Sequence, residues 1–472
     1  MGRAIITIYI MYNKLENKLQ RIGIFGLGKT GRSVFEYFKE LADHLVCYDD
    51  NLSSRQSFAN DYNLKFIHDL KSKEWHFLDQ IIVSPGLRHD HQIFSLASKY
   101  DIPITCDIDI FYEDNKDAIF VAITGTNGKS TTSALIAHIL AFNGCDFALG
   151  GNIGTPILSL PGNKKIYVLE LSSFQLDLIK IFRANIVVLL NITPDHLDRY
   201  GAMENYIESK KKIFTLIDHR SLSTAIISID HNITEDIYGY LKTSSTSSII
   251  PISSQNEATG GVACLPGIIY DDIKKKHIAK YQQNNELRGI HNQENIAASF
   301  AACRTLGIDA DKIIKAIESF KSLPHRMQYL GNIGNIHFYN DSKATNADSA
   351  SMPLQALNNI FWLGGGVLKE GGIASLKPYF KNVKKAYFYG SNKQIFASQF
   401  ENSGEFVICQ NLTEAVGYAL EEATKTSADV VNVLLSPASA SYDQYKNFEE
   451  RGEQFIKLFF NAKKSYERTS KS

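Results

Sequence analysis

The sequence of 472 residues lacks any apolar segment of the roughly 20 residues that a membrane-spanning helix needs. Its N-terminal apolar run, Ala4–Ile10, is too short for such a helix and lacks the small-residue cleavage site of a secretory signal. We interpret residues 1–20 as an N-terminal extension that precedes the first convincing strand. We therefore expect a cytoplasmic protein with no membrane insertion.

The cysteines form no C-x-x-C pair, and no histidine lies at metal-ligand spacing from any of them. The six cysteines are Cys47, Cys106, Cys145, Cys264, Cys303 and Cys409. This pattern argues against a disulfide framework and against a structural zinc site. We expect reduced thiols, most of them buried.

The chain also lacks an excess of charge of either sign, because lysine plus arginine and aspartate plus glutamate both total 50. A nucleic-acid-binding domain usually carries a basic surface. Nucleic-acid partners are therefore not expected. No repeat with the period of a solenoid is present either.

The length predicts about three domains at roughly 150 residues each. Apolar strands alternate with helical patterns along the chain, which indicates α/β folds built on parallel sheets. We place the domain boundaries so that the domains cover residues 21–110, 111–322 and 323–472. Within the second domain, the polar stretch 244–259 is interpreted as a loop or edge structure.

The most informative segment is 119–132, with the sequence IFVAITGTNGKSTT. It predicts a buried strand, a glycine-rich turn and the start of a helix. The N–H groups of such a turn and the helix dipole attract anions, and Lys129 adds a full positive charge for the outer phosphates. The sequence therefore predicts a nucleoside triphosphate site made of Gly125, Thr126, Asn127, Gly128, Lys129, Ser130 and Thr131.

This segment departs from the general P-loop pattern G-x-x-x-x-G-K-[ST], because Ile123 occupies the position of the first glycine. Gly125 lies closer to Gly128 than that pattern requires. On this segment alone, an ordinary glycine-rich strand-to-helix turn remains the alternative.

A second glycine motif, Gly26-x-Gly28-x-x-Gly31, follows the predicted strand Ile22–Phe25. Together with Asp49 after the next strand, it satisfies the dinucleotide-binding fingerprint. The same backbone geometry can hold any diphosphate, and the chain already has a separate nucleotide loop. We therefore favour a nucleotide-sugar ligand, while a dinucleotide site and a purely structural turn remain open.

Two strand ends in the second domain carry residues that can bind a metal ion. Glu170 ends one predicted strand, and His196 follows the next. Because parallel strands present their carboxyl ends at one edge of the sheet, both can converge with Ser130 on a phosphate-bound Mg²⁺. For His196 taken alone, a hydrogen-bonded core or surface histidine is the alternative.

Seven segments, in order along the chain, resemble the Mur ligases, and several resemble the branch of that family that adds D-glutamate. The segments are TGTNGKST (124–131), GGNIG (150–154), ELSSFQ (170–175), DHLDRY (195–200), LPHRM (323–327), NDSKATN (340–346) and LSPASASYDQYKNFEERG (435–452). The resemblance extends from about residue 21 to the C terminus. It implies a Rossmann-like domain for the UDP substrate, a central P-loop-type ATPase domain and a Rossmann-like C-terminal domain for the amino acid.

The resemblance also implies the reaction and its partners. An ATP- and Mg²⁺-dependent ligase of peptidoglycan synthesis, acting as a monomer, would join D-glutamate to UDP-N-acetylmuramoyl-L-alanine. The alanyl carboxylate would attack the γ-phosphate of ATP, and the amine of D-glutamate would then attack the acyl phosphate. Phosphorylation corrects the poor leaving group of a carboxylate, and Lys129 and Mg²⁺ stabilise the charge on the transferred group.

The resemblance assigns catalytic roles to Lys129, Glu170, His196 and Lys210. The resemblance implies two Mg²⁺ ions, of which Ser130 would ligate one, and Glu170 and His196 would hold the second together with a carbamylated Lys210. Its neighbours Lys211 and Lys212 are expected to be solvated, and a plain surface run of lysines is the alternative.

Further ligand contacts follow from the same resemblance. For ATP they are Asn295, Arg326 and Asp341; for the UDP end of the substrate they are Gly28, Lys29, Thr30 and Asp49; for its muramoyl-alanine arm they are Asn152, Ser172 and Ser173; and for D-glutamate they are Lys343, Thr345, Ser441, Tyr442 and Phe448, with Lys369 as a further candidate.

Two positions depart from the family pattern. Asp49-Asp50-Asn51 stands where some members have Asp-Thr-Arg, so the basic contact to uridine is missing. Ser439 stands where many relatives have cysteine. Because folylpolyglutamate synthetases share the ATP loop, a folate-type ligase is the alternative function, and a non-catalytic nucleotide-binding regulator is a third.

Overall fold

The structure is a computed structural model that describes residues 21–64, 69–88, 90–152, 154–218, 223–244, 247–273, 277–282, 285–287, 289–321, 324–368 and 371–469. The chain divides into two compact units. The first comprises Met1–Cys264, Ile268–Ala279 and Glu294–Ala316, and the second comprises Leu265–Gly267, Lys280–Gln293 and Ile317–Ser472. The boundaries at residues 110 and 322 remain predictions.

The N-terminal sheet has four parallel strands in the order β2-β1-β3-β4. The strands are β1 Arg21–Phe25, β2 His44–Tyr48, β3 Gln80–Val83 and β4 Ile104–Thr105. The helices are α1 Lys29–Phe38, α2 Leu52–Asp61, α3 Gln92–Lys99 and α4 Asp107–Asp114, with a 3₁₀ helix at Lys73–Phe77. Because β1 lies between β2 and β3, the loops that follow these three strands are neighbours at one edge of the sheet.

The central sheet has nine strands in the order β13-β12-β11-β10-β9-β8-β5-β7-β6. They are β5 Ile119–Thr124, β6 Phe147–Gly151, β7 Ile166–Glu170, β8 Ile186–Leu189, β9 Thr224–Ser228, β10 Ser248–Ser253, β11 Val262–Leu265, β12 Ile268–Asp271 and β13 His277–Lys280. From β6 to β11 the neighbouring strands pair in parallel. Strands β5, β7 and β8 are almost wholly buried, as expected for a parallel sheet covered on both faces.

Helices and short 3₁₀ turns connect the central strands. The α-helices are α5 Lys129–Phe142, α6 Ser173–Leu178, α7 Leu197–Tyr200, α8 Met203–Lys211, α9 Asn232–Ser244, α10 Ile290–Thr305 and α11 Ala310–Ser319. The 3₁₀ helices are Ile157–Ser159, Lys212–Leu216 and Asn285–Leu287. The loop predicted to bind nucleotide therefore lies between β5 and α5.

The interpretation of residues 244–259 as a loop or edge structure is wrong for residues 248–253, whereas residues 254–259 form a loop. Residues 248–253 form β10, an interior strand between β9 and β11 whose last four residues are buried. The serines at its end lie in the sheet because the Ser253 and Ser254 hydroxyls both donate to the Asp230 carboxylate. Because these hydrogen bonds pair the polar side chains at the end of β10, a short apolar strand occurs where the composition of the stretch suggests a loop.

The N-terminal and central sheets share one hydrophobic core within the first unit. Trp75 and Ile81 belong to the same cluster of buried side chains as Phe120 and Tyr167. Asp109 in α4 reinforces this joint, because its carboxylate accepts hydrogen bonds from the backbone N–H groups of residues 180, 181 and 182 at 2.9, 3.1 and 2.9 Å. The glycine motif of β1 and the nucleotide loop of β5 are thus held on one packed body.

The C-terminal sheet has six strands in the order β14-β15-β19-β16-β17-β18, in which only the pairing of β14 with β15 is antiparallel. The strands are β14 Gln328–Ile333, β15 Ile336–Asn340, β16 Ile360–Gly365, β17 Val383–Tyr389, β18 Glu405–Ile408 and β19 Val431–Leu435. The helices are α12 Ala347–Ala356, α13 Lys393–Phe400, α14 Leu412–Ala423 and α15 Phe448–Thr469, with a 3₁₀ helix at Ala374–Asn382.

The three parallel-rich sheets with flanking helices confirm the predicted α/β fold class. None of the helices in the described ranges combines the length and the hydrophobicity that a bilayer crossing requires.

Candidate active site

The nucleotide loop depends on a glycine at its tightest point. Gly128 has φ +81° and immediately precedes α5. A Cβ atom at this position would lie 2.3 Å from the Asn295 Oδ1 atom, so a side chain would displace Asn295. Asn295 also accepts a hydrogen bond from the Thr132 hydroxyl at 3.1 Å. The structure therefore brings Asn295, a predicted ATP ligand, directly against the loop.

Asn191, which sequence reasoning did not single out, holds the first half of the loop. Its backbone oxygen accepts from the Thr126 N–H at 2.7 Å, and its side-chain oxygen accepts from the Asn127 N–H at 2.9 Å. Its amide nitrogen donates to the Glu294 Oε2 atom at 2.7 Å, which fixes the orientation of the side-chain amide. The position of Asn191 just after β8 was the available signal.

Two lysines converge on one carbonyl group of this loop. The Lys129 Nζ atom donates to the backbone oxygens of Gly125 and Thr126 at 2.8 and 2.7 Å. The Lys210 Nζ atom donates to the same Gly125 oxygen at 2.8 Å. Lys210 is only 1% exposed and lies over the Tyr206 ring at 4.9 Å. The alternative of a surface lysine run is therefore wrong for Lys210.

Burial, followed by the positive charge of Lys129, holds the pKa of Lys210 well below its usual range. A lysine in this environment readily loses its proton, and a neutral amine is nucleophilic. By contrast, Lys211 and Lys212 are partly exposed and form ion pairs with Glu208 and Asp177 at 2.6 and 2.7 Å. The three consecutive lysines thus occupy two different environments.

Glu170, at the end of β7, lies beside the start of α5. Its carboxylate is buried and accepts hydrogen bonds from the Ser130 hydroxyl at 2.5 Å and from the Asn152 amide at 2.8 Å. A Cβ atom on Gly151 would lie 2.3 Å from the Glu170 backbone oxygen, so this close approach requires glycine. Three residues predicted for metal or substrate binding are therefore brought together.

Ser172 and Ser173 follow Glu170 after one intervening residue, with Ser172 as the N-cap of α6 and Ser173 as its first residue. The Ser172 hydroxyl accepts from the Gln175 N–H at 3.2 Å, and the Gln175 side chain accepts from the Ser172 N–H at 2.9 Å. This capping box orients the segment after β7. Ser173 is buried, and its backbone oxygen accepts from the Ser209 hydroxyl.

His196 has a left-handed backbone conformation, with φ +55°, and immediately precedes α7. Its Nε2 atom lies 3.4 Å from the Asp195 carboxylate, and its ring lies 4.8 Å from the Phe174 ring between centroids. A left-handed conformation is uncommon for a residue other than glycine and often marks a functional position. His196 is partly exposed, which suits a ligand-facing histidine.

Whether Mg²⁺ suits this site can be judged from the donor set. The Ser130 hydroxyl and the Glu170 carboxylate supply hard oxygen atoms 2.5 Å apart beside the nucleotide loop. Within the described part of the chain, no three His, Cys, Asp or Glu side chains form a metal-binding cluster. A Mg²⁺ ion here would therefore also use phosphate oxygens and water, as Mg²⁺ usually does.

The glycine motif of the N-terminal sheet is built as predicted. Gly26 has φ +92°, and a Cβ atom on Gly31 would lie 1.8 Å from the Gly26 backbone oxygen. The Asp49 carboxylate accepts from the N–H groups of Leu27 and Asn51 at 2.7 and 2.8 Å. Asp49 therefore holds the glycine loop with one carboxylate oxygen and the segment after β2 with the other.

The other predicted residues of this loop lie at the start of α1. Gly28 and Lys29 are exposed and Thr30 is half-buried. The basic residue near the end of β2 is Arg55, whose guanidinium lies 5.0 Å from the centroid of the Tyr48 ring. Arg55 lies one helical turn after Asn51, the position at which some family members have arginine.

Asp341 in the second unit follows β15 and is almost fully buried. It accepts from the Met327 N–H at 3.1 Å and from the Ser436 hydroxyl at 3.0 Å, and Ser436 follows the neighbouring strand β19. Burial raises the pKa of Asp341 to about 7, against smaller opposing effects of the hydrogen bonds from Met327 and Ser436 and of the positive charge of Arg326.

Arg451, which the site prediction omitted, is fully buried in the second unit. It donates to the Ser342 hydroxyl and backbone oxygen at 3.0 and 2.8 Å, to the Ser439 backbone oxygen at 3.1 Å and to the Gly365 backbone oxygen at 3.4 Å. These partners follow three different strands, β15, β16 and β19. One cation thus joins the loops that carry the predicted D-glutamate residues.

The predicted D-glutamate residues differ in exposure. The Lys343 Nζ atom lies 4.0 Å from the centroid of the Phe448 ring, so these two side chains are brought together. Ser441 is buried, Thr345 is half-buried, and Tyr442 is 75% exposed. Lys369 and the first residue of the predicted third domain, Leu323, lie outside the described residues.

Ser439, which stands where many relatives have cysteine, is buried. Its hydroxyl accepts from the Asn392 side-chain amide at 2.6 Å, and the Asn392 side-chain oxygen accepts from the Gly366 N–H at 2.9 Å.

Comparisons with known proteins agree with this arrangement. The family model described as the Mur ligase middle domain matches residues 123–303. UDP-N-acetylmuramoylalanine--D-glutamate ligase from Rickettsia felis is 50% identical over 440 residues, which cover 93% of this chain and 96% of that protein. The protein of the same name from Rickettsia bellii is 48% identical over 443 residues and covers 94% and 98% of the two chains.

A solved structure shares the fold. The MurF ligase from Thermotoga maritima in complex with ADP superposes with a TM-score of 0.60 at 17% identity, over 95% of this chain and 98% of that one.

Proposed function

Since the chain belongs to the Mur ligase family, we infer that it is the ATP-dependent ligase that joins D-glutamate to UDP-N-acetylmuramoyl-L-alanine in peptidoglycan precursor synthesis. The single observation that carries this inference is the convergence of Lys129, Ser130, Glu170 and Lys210 at the nucleotide loop. Such a set suits the transfer of a phosphoryl group to a carboxylate, because it combines cations with hard oxygen ligands.

The reaction takes place in two steps. An oxygen of the alanyl carboxylate attacks the γ-phosphorus of ATP, the bond to the β-phosphate oxygen breaks, and ADP leaves. The amine of D-glutamate then attacks the acyl carbon, phosphate leaves, and the amine loses a proton. Lys129 neutralises charge on the transferred group, and the loop N–H groups orient the phosphates.

We propose that Glu170, Ser130, His196 and a carbamylated Lys210 would hold Mg²⁺. When bound, the ion would offset negative charge on the phosphates. The burial and lowered pKa of Lys210 support carbamylation, because only the neutral amine adds to carbon dioxide. Asn152 orients the Glu170 carboxylate through its 2.8 Å hydrogen bond.

The proposal keeps the substrate roles assigned from the resemblance. The UDP end would bind at the glycine motif of β1, with Gly28, Lys29 and Thr30, and Asp49 would act by shaping that loop. Arg326 and Asp341 would bind ATP, and Lys343 with its neighbours would bind the two carboxylates of D-glutamate.

We also propose a monomeric, cytoplasmic enzyme with three domains divided near residues 110 and 322. The six free cysteines support a reducing compartment, and the use of ATP supports the same location.

Phosphate release from ATP and Mg²⁺ in the presence of UDP-N-acetylmuramoyl-L-alanine tests the proposal. Release should require D-glutamate, should not occur with L-glutamate, and should fall at least about a hundredfold in Lys129→Ala. Turnover with L-glutamate on a folate acceptor would favour the folate-type ligase. No release with either amino acid would favour the regulator.

A further inference from the structure

The loop that follows β3, Ser84–Leu87, adjoins the glycine motif of β1. Phe25 and Val83 are paired at the ends of these two parallel strands. The Ser84 N–H donates to the Phe25 backbone oxygen at 2.9 Å, and the Ser84 hydroxyl donates to the Gly26 backbone oxygen at 3.0 Å. A shift of this loop would therefore move the glycine motif.

Arg199 belongs to α7, in the central part of the same unit, and forms two hydrogen bonds with this loop. Its NH1 nitrogen donates to the Gly86 backbone oxygen at 2.9 Å, and its NH2 nitrogen donates to the Leu87 backbone oxygen at 2.7 Å. The two contacts use two separate nitrogen atoms of one planar guanidinium group, whereas a shorter lysine side chain would have to reach both oxygens with a single nitrogen.

Arg199 is also linked to the nucleotide side. Its Cζ atom lies 4.0 Å from the centroid of the Phe174 ring, and the Phe174 ring lies 4.8 Å from the His196 ring. Phe174 follows Glu170 by four residues and His196 precedes Arg199 by three, so both links lead to residues placed in the metal site. A continuous set of contacts thus connects the Gly26 loop with His196.

The contacts of Arg199 are not needed to hold the N-terminal and central sheets together. The shared core that contains Trp75 and Phe120 already joins the N-terminal and central sheets away from the strand ends. Arg199 instead joins the loop after β3 to the segment between β8 and β9, and segments that follow strands are where ligands bind in open α/β sheets.

We propose that Arg199 is a positioning residue that couples occupancy of the UDP-substrate loop to the geometry of the nucleotide and metal site. This inference rests on the proposed function, because it takes the Gly26 loop as the UDP site. Bound substrate would order the Ser84–Leu87 loop, and the ordered loop would hold the Arg199 side chain in place. Arg199 would in turn hold the segment that contains His196. By linkage, the nucleotide would tighten the substrate by the same factor.

The test is a double-ligand binding measurement on the full chain with Mg²⁺ present. The dissociation constant of a non-hydrolysable ATP analogue is measured with and without saturating UDP-N-acetylmuramoyl-L-alanine, and the ratio is the coupling factor. Coupling of this kind is typically about 5- to 150-fold. In Arg199→Lys we expect the factor to fall to about a third of the wild-type value or less, with the analogue alone binding within about twofold of wild type.

Arg183→Lys is the matched control. The half-buried Arg183 also donates to backbone oxygens, but these belong to Lys180 and Phe182 in its own segment. This variant should keep the wild-type coupling factor. Phe174→Leu, which keeps an apolar side chain but removes the ring, should lower the factor with the Arg199 hydrogen bonds intact. Melting temperatures of the variants without ligand exclude unfolding as the cause of a loss.

A wild-type coupling factor of one would overturn the inference, as would an Arg199→Lys factor equal to wild type or an equal loss in Arg183→Lys. If the wild-type chain turns over D-glutamate while any of these results holds, only the coupling role fails. If the wild-type chain does not turn over D-glutamate, the proposed function fails first.

Discussion

Substitution of Gly128 by alanine tests the account of the nucleotide loop at its tightest point. The residue has φ +81°, and the added Cβ atom would lie 2.3 Å from Asn295 Oδ1 and 3.1 Å from Leu190 Cδ1. Gly144, which follows the C-terminal end of the same helix α5, provides the control. It has φ +66°, and a Cβ atom added there would have no heavy atom within 4 Å beyond its chain neighbours.

The two substitutions differ in the close contacts of the added Cβ atom, which meets Asn295 and Leu190 at position 128 and no such neighbour at position 144. A left-handed conformation costs an L-residue about 1–2 kcal/mol, and alanine recovers about 0.4–1 kcal/mol by restricting the unfolded chain. Gly144→Ala should therefore lower the free energy of unfolding by about 0.5–1 kcal/mol. Gly128→Ala should cost about 1 kcal/mol more, because Asn295 must move and its hydrogen bond with Thr132 is lost.

The two variants should also differ in their affinity for ATP. Displacement of Gly128 and Asn295 disturbs the N–H groups that face the phosphates, and a loss of about 1.4 kcal/mol corresponds to tenfold weaker binding. We expect about tenfold weaker binding of ATP in Gly128→Ala and unchanged binding in Gly144→Ala, measured by titration calorimetry alongside urea unfolding. Equal stability losses together with equal ATP affinities would refute the reasoning.

Three further predictions concern single buried groups. Arg451→Lys should lower the free energy of unfolding by about 3 kcal/mol, because one ammonium cannot join three loops. It should also raise KM for D-glutamate in the phosphate-release assay, and an unchanged KM would contradict the role of these loops. The raised pKa of Asp341 means that the folded chain holds this proton more tightly than the unfolded chain, so stability should fall as the pH rises from 3.8 towards about 7. Urea unfolding at several pH values should show a shallower fall in Asp341→Asn, and an identical slope would count against this assignment. Glu170→Gln should raise the Mg²⁺ concentration for half-maximal turnover about tenfold, because an amide is a weaker ligand than a carboxylate. A Mg²⁺ titration that matches wild type would remove Glu170 from the metal site.

The sequence was a good guide where structure depends on neighbouring residues. Segment 119–132 forms the predicted strand, glycine-rich turn and helix start, because its apolar run ends directly at the turn. The stretch 244–259 was misread because the serines of β10 are satisfied by Asp230, about twenty residues earlier in the chain. A hydrogen-bond partner at this distance along the chain cannot be recognised from the local sequence pattern.

In the candidate site too, contacts that follow from neighbouring strand ends were predictable from the sequence, and contacts between remote segments were not. Placement of Glu170 beside Ser130 was predictable, since both follow parallel strands whose carboxyl ends share an edge. Asn191 and Glu294 are 103 residues apart, and Arg451 and Ser342 are 109 residues apart. Their roles consist of hydrogen bonds between remote segments, so they become visible only in the folded chain.

The central claim is that ATP activates the alanyl carboxylate by transferring its γ-phosphoryl group to a carboxylate oxygen. The most direct measurement uses UDP-N-acetylmuramoyl-L-alanine labelled with ¹⁸O in both oxygens of the alanyl carboxylate, together with ATP, Mg²⁺ and D-glutamate. The account predicts one ¹⁸O atom in each phosphate released, in step with amide formation, because the carboxylate oxygen that attacks phosphorus leaves with it. Amide formation with unlabelled phosphate would contradict the account.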